Sequence, residues 1–255
     1  MTTAGGPPPH ASFELSLIVP VYNEAENFPA LITEVERHVP APFTVWIVYD
    51  FDEDTTLPVA RALAATRPWL RLLKNEGAGV VGALRTGFAR VASGPALVVM
   101  ADLSDDLRVI PELLDRYRAG YRVVCPSRYM RGGGIVGGPA FKQGLSRVAG
   151  VALYWMVGFP THDATNNFRL YDAALVNELG IESTGGWEVA LELTAKAVRR
   201  GVPVAEVPAV WRGRTAGESR FRLLKWLPAY LRWYSYALGS FTTRSRTRRS
   251  HRPAP

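Results

Sequence analysis

The chain has 255 residues, 47% of them hydrophobic and 21% charged, which suits one large folded domain with or without an appendage and excludes a disordered polymer. Its single cysteine, Cys125, excludes an internal disulfide and a cysteine-based zinc cluster, and is compatible with a reducing cytoplasm. The formal net charge is +7, but five of the arginines lie within residues 241–255, and no motif for nucleic-acid binding accompanies them.

The first half of the chain alternates between short apolar runs and segments with helical spacing. Residues 1–12 lack the basic and apolar regions of a secretory signal and are predicted to be a flexible leader. Strands are predicted at Leu15–Val21, Thr44–Asp50, Leu70–Lys74, Ala96–Ala101 and Arg122–Pro126. Helices are predicted at Glu26–His38, Thr55–Thr66, Val80–Val91 and Ile110–Arg118. This alternation indicates an α/β fold with a mainly parallel, twisted sheet flanked by helices.

The second half of the chain has a different pattern. A glycine-rich loop leads into an apolar segment at Gly138–Val157, and a short strand is predicted at Asn167–Leu170. A helix at Glu188–Arg200 and a strand at Val202–Trp211 follow. These elements complete a main domain at residues 13–220, after which we predict an amphipathic aromatic and basic helical segment at 221–240 and a disordered arginine-rich tail at 241–255.

Polar residues follow the ends of four predicted strands, which is where parallel sheets bind ligands. These segments are Tyr22–Glu24, Asp50–Asp54, Asp102–Asp106 and Ser127–Arg131. Two of them are acidic clusters, which would repel each other at one sheet edge unless a cation lay between them. Magnesium accepts one or two carboxylates and keeps its other positions for water and phosphates. The alternative for either cluster is a helix N-cap followed by acidic residues in the first turn.

Six short segments occur in a fixed order over most of the chain: LSLIVPVYNEAENFPALI, IVYDFDEDTT, VVMADLSDDL, SRYMRGGG, THDATNNFRLYD and WRGRTAGES. In this order they resemble the motifs of family-2 glycosyltransferases, and the last resembles a motif of dolichol-phosphate mannose synthases. The third segment departs from the metal-binding DxD motif, because Met100 stands at its first aspartate, and Asp105 or Asp106 could supply the missing carboxylate.

The resemblance implies a GT-A-type nucleotide-binding fold, a nucleotide-diphosphate sugar donor, and Mg2+ or Mn2+ as cofactor. Donor and substrate contacts are expected from Pro20, Tyr22, Glu24, Asp50, Asp52, Gly79 and Glu188. Metal ligands are expected from Asp102, Ser104 and Asp105. The candidate catalytic residues are Asp102, Arg128, Asp163 and Arg214, with the two arginines reaching phosphates and Asp163 near the acceptor. Asp163 has the alternative role of a capping or turn residue.

The expected reaction is inverting transfer to a polyprenyl phosphate, whose oxygen is already ionised and needs no general base. For a hydroxyl acceptor a base would have to remove a proton, and Glu188 is the candidate. The alternative for Glu188 is an ordinary first-turn acid on a solvated helix face. A nucleotide-sugar-binding protein without catalysis is a further alternative, suggested by Met100. A sugar nucleotidyltransferase is disfavoured, because the opening lacks a glycine- and arginine-rich triphosphate loop.

Membrane contact is expected without a membrane span, because the longest uncharged apolar run, Val148–Phe159, is shorter than the roughly 20 residues that a span requires. Two segments, Gly138–Phe159 and Phe221–Leu238, are candidates for membrane contact at the lipid interface, and for the second of them core packing of its aromatic residues is the alternative. The arginine tail either binds anionic lipid or is a solvated end. We therefore expect a peripheral protein on the cytoplasmic face of a membrane.

Overall fold

A seven-stranded sheet in the order β3-β2-β1-β4-β7-β5-β8 forms the centre of the structure, a computed structural model that describes residues 14–137, 140–185, 187–213 and 227–239. Its strands are β1 Leu15–Pro20, β2 Phe43–Tyr49, β3 Leu70–Lys74, β4 Pro95–Val98, β5 Val123–Ser127, β7 Arg169–Asp172 and β8 Val204–Pro208. All neighbours pair in parallel except β7, which is antiparallel to both β4 and β5. Strands β6, Gly134–Val136, and β9, Val210–Arg212, form a separate parallel pair.

Helices connect the strands and cover both faces of the sheet. They are α1 Phe28–His38, α2 Thr56–Ala64, α3 Gly79–Arg90, α4 Ile110–Arg118, α5 Ala140–Val157, α6 Ala173–Leu179 and α7 Val189–Arg199, followed by α8 over residues 227–239. The side chains of β1 alternate between the faces: Leu17 and Val19 pack in one hydrophobic cluster and Ile18 in the other. This alternation follows from the two-residue period of a strand and shows that the sheet is buried on both faces.

The predicted strands and helices of the first half all occur, with ends that differ by at most three residues. The prediction of a single strand at Val202–Trp211 was wrong. The chain turns away from the main sheet at Ala209, whose amide donates to the Ser127 carbonyl oxygen over 3.0 Å. The residues after this turn pair with β6 instead. Hydrophobic patterning does not reveal such a change of partner, because both halves of the segment are extended.

Helix α7 is buried from Val189 to Val198, and Glu188 before it is fully buried, so the interpretation of Glu188 as an acid on a solvated helix face was wrong. One side of the helix packs on the sheet through Val189 and Leu193, and the opposite side packs against α5 and α8 through Leu191 and Ala195. Helix α8, which is distant in the chain, packs beside two of the buried charges: Trp233 contacts Lys196, and Tyr230 lies near Glu188.

Helix α8 packs its aromatic face inward. Trp233 lies in the same cluster as Leu153 of α5, and its ring is contacted by the Lys196 ammonium at 5.1 Å from the ring centroid. Arg232 bonds the Glu182 carboxylate over 2.7 Å. For residues 227–239, core packing of the aromatic residues is therefore the correct alternative. The remainder of the predicted segment, 221–226, lies outside the described residues, as do the leader and the tail.

Candidate active site

The polar segments that follow β1, β2, β4 and β5 meet at one edge of the sheet. This follows from the topology, because these strands are parallel and β1 lies between β2 and β4. Adjacent strands are about 5 Å apart, so the ends that carry Asp50 and Asp102 lie about 10 Å from each other. Strand β7 is antiparallel, and it therefore starts at this same edge, which brings in Asp163 from the preceding loop.

Asp50 is held in place by the turn before α3. Its Oδ1 accepts a hydrogen bond from Asn75 Nδ2 over 2.6 Å, and its Oδ2 accepts one from the Gly79 amide over 2.8 Å. Gly79 has a φ of 65°, a conformation that glycine adopts without a steric penalty. Asp52 lies further out, exposed and paired with Lys74 over 2.5 Å. Of these two candidates, Asp50 is the one fixed at the sheet edge.

An aromatic pair follows β1 and β2. Tyr22 is exposed and meets Phe51 edge to face, with 5.2 Å between the ring centroids. Pro20 ends β1 directly beneath this edge, and Glu24 accepts a hydrogen bond from Asn27 over 2.8 Å. The pair places an apolar surface beside Asp50, which suits the flat face of a nucleotide base. Phe51 was missed by the sequence analysis, although it stands between two acidic residues at a predicted strand end.

The acidic cluster after β4 divides into two carboxylates that face the edge and one that caps a helix. Asp102 Oδ1 accepts from Ser104 Oγ over 2.6 Å, and Asp105 Oδ2 accepts from the Met100 amide over 2.8 Å. Asp106 instead caps the turn before α4 and binds Arg108 through both oxygens, at 2.7 and 2.8 Å. Burial raises its pKa, but the hydrogen bonds from Arg108 prevail and the pKa of Asp106 is lowered. Asp106 is therefore structural.

The pKa of the Asp105 carboxyl group is well above its usual value. Burial of this carboxyl, and secondly the charge of Asp102, raise its pKa to about 8. The residue as a whole is partly exposed. Because the negative charges of Asp102 and Asp105 repel each other, the two carboxylates favour a cation between them. Within the ranges that the structure describes, no three acidic, histidine or cysteine side chains converge in an arrangement that could hold a metal ion by themselves.

Arg128, which follows β5, is paired with Asp163. Its Nε donates to Asp163 Oδ2 over 2.6 Å and its Nη2 donates to Asp163 Oδ1 over 2.8 Å. The same Nη2 reaches the hydroxyls of Ser146 and Thr165, each at 3.3 Å. Burial lowers the pKa of Arg128, but the charge of Asp163 outweighs this effect and the pKa is raised. The structure thus brings two of the four predicted catalytic residues, Arg128 and Asp163, together, while Arg214 lies outside the described residues.

Glu188 lies behind this pair, with none of its surface exposed. Its Oε1 accepts from the Gly185 amide over 2.8 Å, and its Oε2 is buried without a hydrogen-bond partner among the described residues. Tyr230 of α8 is nearby, since its pKa is raised by burial and secondly by the charge of Glu188. The proximity of Tyr230 to Glu188 was not predicted from the sequence, because α8 is far from the other site residues in the chain.

Exposed apolar side chains lie on α5 and α8. Val148, Trp155 and Met156 of α5 are 66%, 77% and 68% exposed. Val148 and Trp155 are seven residues apart and therefore share one helix face. Leu227 and Leu231 of α8 are also exposed. Among the described helices, none combines the length and the apolar character that crossing a bilayer requires.

A mainly parallel sheet with acidic residues and an arginine at its carboxyl edge is the arrangement expected of a GT-A-type fold. The chain belongs to glycosyl transferase family 2, whose family model matches residues 16–180. The predicted fold class and the predicted enzyme class, a glycosyltransferase, are confirmed by this match and by the solved structures that follow.

Two curated relatives match most of the chain. A dolichol-phosphate mannosyltransferase from Pyrococcus furiosus is 26% identical over 84% of this chain and 64% of its own length. A polyprenol monophosphomannose synthase from Mycolicibacterium smegmatis is 28% identical over 80% of this chain and 79% of its own length. The chain thus spans less than two thirds of the Pyrococcus protein.

Two solved structures share the fold. Glucosyl-3-phosphoglycerate synthase from Mycobacterium tuberculosis, solved with Mn2+, UDP-glucose and phosphoglyceric acid, superposes with a TM-score of 0.65 at 18% identity, over 92% of this chain and 81% of that chain. A mannosyltransferase from Pyrobaculum calidifontis in complex with GDP-Man and Mn2+ has a TM-score of 0.59 at 15% identity, over 99% of this chain and 79% of that chain. At these identities the likeness concerns the fold.

Proposed function

We propose that the protein transfers a sugar, with inversion, from a nucleotide-diphosphate sugar to a polyprenyl phosphate at the cytoplasmic surface of a membrane. The observation that carries the proposal is the exposed apolar face of α5, a helix that contacts Arg128 through Ser146, whose hydroxyl lies 3.3 Å from Arg128 Nη2. A lipid-borne acceptor needs both a phosphate-binding residue and an apolar surface beside it. Both curated relatives bear names that specify a polyprenyl or dolichyl phosphate product.

The donor is expected at the edge formed by β1, β2 and β4. Tyr22 and Phe51 offer a flat apolar surface for a base, and Asp50 is preoriented by Asn75 and Gly79. Asp102 lies on the other side of β1, where the diphosphate would follow the base and ribose. Solved structures with this fold are described as complexes with UDP-glucose or GDP-Man, which supports a donor of this chemical class.

The residues after β4 fit a divalent cation with oxygen ligands. Asp102 and Asp105 would hold Mg2+ or Mn2+, with Ser104 beside them, and two carboxylates suffice because phosphates and water complete the coordination. The bond from the Met100 amide brings the Asp105 carboxylate close to the position where the DxD motif has its first aspartate. When bound, the ion would stabilise negative charge on the leaving diphosphate.

The chain's own groups would act mainly by positioning and by electrostatics. Departure of the nucleoside diphosphate builds negative charge, and preorganised positive groups at that point supply a large share of the catalysis. Arg128 is a guanidinium held rigidly by Asp163, and Arg214 is proposed as a second phosphate contact. An acceptor phosphate oxygen is already ionised at neutral pH, so a single in-line attack on the anomeric carbon requires no proton transfer.

A hydroxyl acceptor is the second candidate, and the buried Oε2 of Glu188 is the observation that favours it. A buried carboxylate oxygen without a partner is costly, which indicates either a functional group or a bond to a ligand. Against this role, Glu188 is enclosed, and a base must come within hydrogen-bond reach of the acceptor proton. The phosphate acceptor therefore accounts better for the whole site.

Membrane contact is proposed through two weak anchors. The apolar side chains of α5 would enter the lipid interface, and the arginine tail would bind anionic headgroups at about 1 kcal/mol for each basic residue. Two signals of this kind are what stable, reversible anchoring requires.

The proposal is tested by a donor screen with purified protein. Thermal shifts with nucleotide sugars in the presence of Mg2+ or Mn2+ identify the donor, and the assay then offers a short polyprenyl phosphate or a hydroxyl sugar as acceptor. Product that partitions into organic solvent supports the lipid acceptor. Transfer to the hydroxyl sugar alone would overturn the lipid acceptor. Donor binding without turnover on either acceptor would overturn both proposed reactions.

A further inference from the structure

The loop that carries Asp163 is held by one carboxylate from another strand, Glu206 of β8. Glu206 Oε1 accepts from Thr161 Oγ1 over 2.8 Å and from the His162 amide over 2.6 Å, and its Oε2 contacts His162 Nδ1 at 2.8 Å. The Glu206 side chain is largely buried. Three contacts to two consecutive residues fix both the backbone and the side chains of this part of the loop.

These contacts continue to the catalytic pair. The Asp163 amide donates to Thr161 Oγ1 over 3.0 Å, so the hydroxyl that Glu206 orients also orients Asp163. The Asp163 carboxylate in turn holds Arg128 through two bonds. Glu206 is thus connected to the Arg128 guanidinium through Thr161 and Asp163, without contacting the guanidinium itself.

The loop is also enclosed on its other sides. The fully buried Arg169 donates from Nη2 to the Asp163 carbonyl oxygen over 2.6 Å. Helix α5 packs directly against the loop, since a Cβ at Gly150 would lie 2.2 Å from the His162 carbonyl oxygen. The His162 ring stacks on Tyr154 of the same helix, with 3.6 Å between centroids. Together with these contacts, the Glu206 carboxylate fixes the position of Thr161 and His162 through three contacts of its own.

We propose that Glu206 is a positioning residue for glycosyl transfer: through Thr161 it holds Asp163 in the place from which Asp163 orients the Arg128 guanidinium. This inference rests on the proposed functional roles of Arg128 and Asp163. Glu206 itself touches no reacting atom, and its effect depends on the oxygens of its side chain as hydrogen-bond acceptors.

The test compares Glu206→Ala, Glu206→Gln and Thr161→Val with a matched surface variant, Glu178→Ala. The exposed carboxylate of Glu178 pairs with Arg200 at 2.5 Å. Misplacement of a catalytic group by about 1 Å can lower turnover about 100-fold, so Glu206→Ala and Thr161→Val are expected to lower kcat at least about tenfold. Donor KM is expected to stay near that of the wild type, because the donor edge is formed by other strands. Glu206→Gln keeps an acceptor oxygen for Thr161 and the His162 amide and should restore most of the turnover.

A double variant separates positioning from general destabilisation. If Glu206 acts through Asp163, then Glu206→Ala combined with Asp163→Asn should be no slower than Asp163→Asn alone. If the losses in kcat of the two single variants multiply in the double variant, the proposal is overturned. Should Glu206→Ala fail to fold, the same cycle is measured with Thr161→Val, which keeps the shape of the side chain and removes only the hydroxyl.

A second readout does not depend on turnover. The Nε–H of Arg128 donates to Asp163 and is expected to give a slowly exchanging nitrogen-15 NMR signal in the wild type. The signal should exchange rapidly or disappear in Glu206→Ala and Thr161→Val, and it should persist in Glu206→Gln and Glu178→Ala. Persistence in all four variants would overturn the role of Glu206. Absence of transfer to polyprenyl phosphate by the wild type would instead overturn the proposed function alone.

Discussion

Arg128 and Asp163 form a two-bond ion pair, with distances of 2.6 and 2.8 Å, although 35 residues separate them in the chain. The pair joins the carboxyl end of β5 to the loop before β7, and these two elements meet because β7 runs antiparallel to β5. Asp163 is fully buried and Arg128 nearly so. An arginine that is held in one orientation can meet a phosphate without losing further side-chain entropy.

Substitution of Asp163 by asparagine is expected to abolish most of the turnover and to destabilise the fold. Removal of one partner of a buried ion pair leaves an uncompensated charge, at a cost of about 3–5 kcal/mol. The free energy of unfolding by urea measures this cost. As the control, Asp52→Asn breaks the exposed pair with Lys74 and should leave the unfolding midpoint unchanged. Equal changes in the free energy of unfolding of the two variants would contradict a stabilising role of the buried pair.

Substitution of Asp102 by alanine is expected to remove turnover and the metal-dependent part of donor binding, while the protein stays folded. Asp102 accepts two hydrogen bonds from Ser104, two residues further along the same loop, so we expect its loss to alter that loop rather than the hydrophobic core. Donor affinity is measured by calorimetry with and without Mn2+, beside Asp115→Ala at an exposed position of α4. Normal, Mn2+-dependent binding in Asp102→Ala would refute the metal assignment.

Substitution of Glu188 by glutamine distinguishes the two acceptor classes. The amide keeps the size of the side chain but cannot remove a proton from a hydroxyl. With a phosphate acceptor we expect kcat to change little, because no general base takes part. A loss of about 100-fold or more, with donor binding intact, would indicate base catalysis and a hydroxyl acceptor.

Introduction of aspartate at Trp155 and Met156 is expected to weaken binding to anionic vesicles. A charge on the exposed apolar face of α5 opposes its entry into the lipid interface and repels the headgroups. Binding is measured by vesicle sedimentation, and transfer in detergent should remain close to that of the wild type. Ala62→Asp combined with Ala65→Asp places the same two charges on the exposed surface at the end of α2, and this variant should bind vesicles normally. If both variants sediment alike, α5 is not the membrane contact.

Asp172 is expected to contribute to acid denaturation. Burial raises its pKa, but hydrogen bonds from Arg122 and Tyr117 prevail, and the pKa is lowered from its usual value of 3.8. A lowered pKa stabilises the folded state above about pH 4, and this contribution is lost as the pH falls through the folded-state value. Asp172→Asn should therefore be less stable at pH 7 and show a flatter stability curve below about pH 4 than the wild type. Asp115→Asn, at an exposed carboxylate, should follow the wild-type curve in urea denaturation.

The parts of the site that lie directly after strands were predictable from the sequence. Asp50, Asp102 and Arg128 each follow a continuous apolar run, and the parallel topology brings such positions to one edge. The distinction between Asp105 and Asp106 was not predictable. It depends on which carboxylate Arg108 reaches and which the Met100 amide binds. Two adjacent acids look equivalent in a sequence until their side chains are oriented.

The sequence by itself determined the order of strands and helices in the first half of the chain, the α/β class and the family, because period and motif order are local properties of the chain. Only the tertiary structure decided which charges are buried. Glu188 and Glu192 have the spacing of a solvated helix face, yet α8 and the sheet enclose them. Likewise, Glu206 lies on a strand remote in sequence from Asp163, and its contact with the Asp163 loop exists because long-range packing places β8 beside it. Burial and long-range contacts depend on which distant segments pack against a residue, and a local sequence pattern does not contain that information.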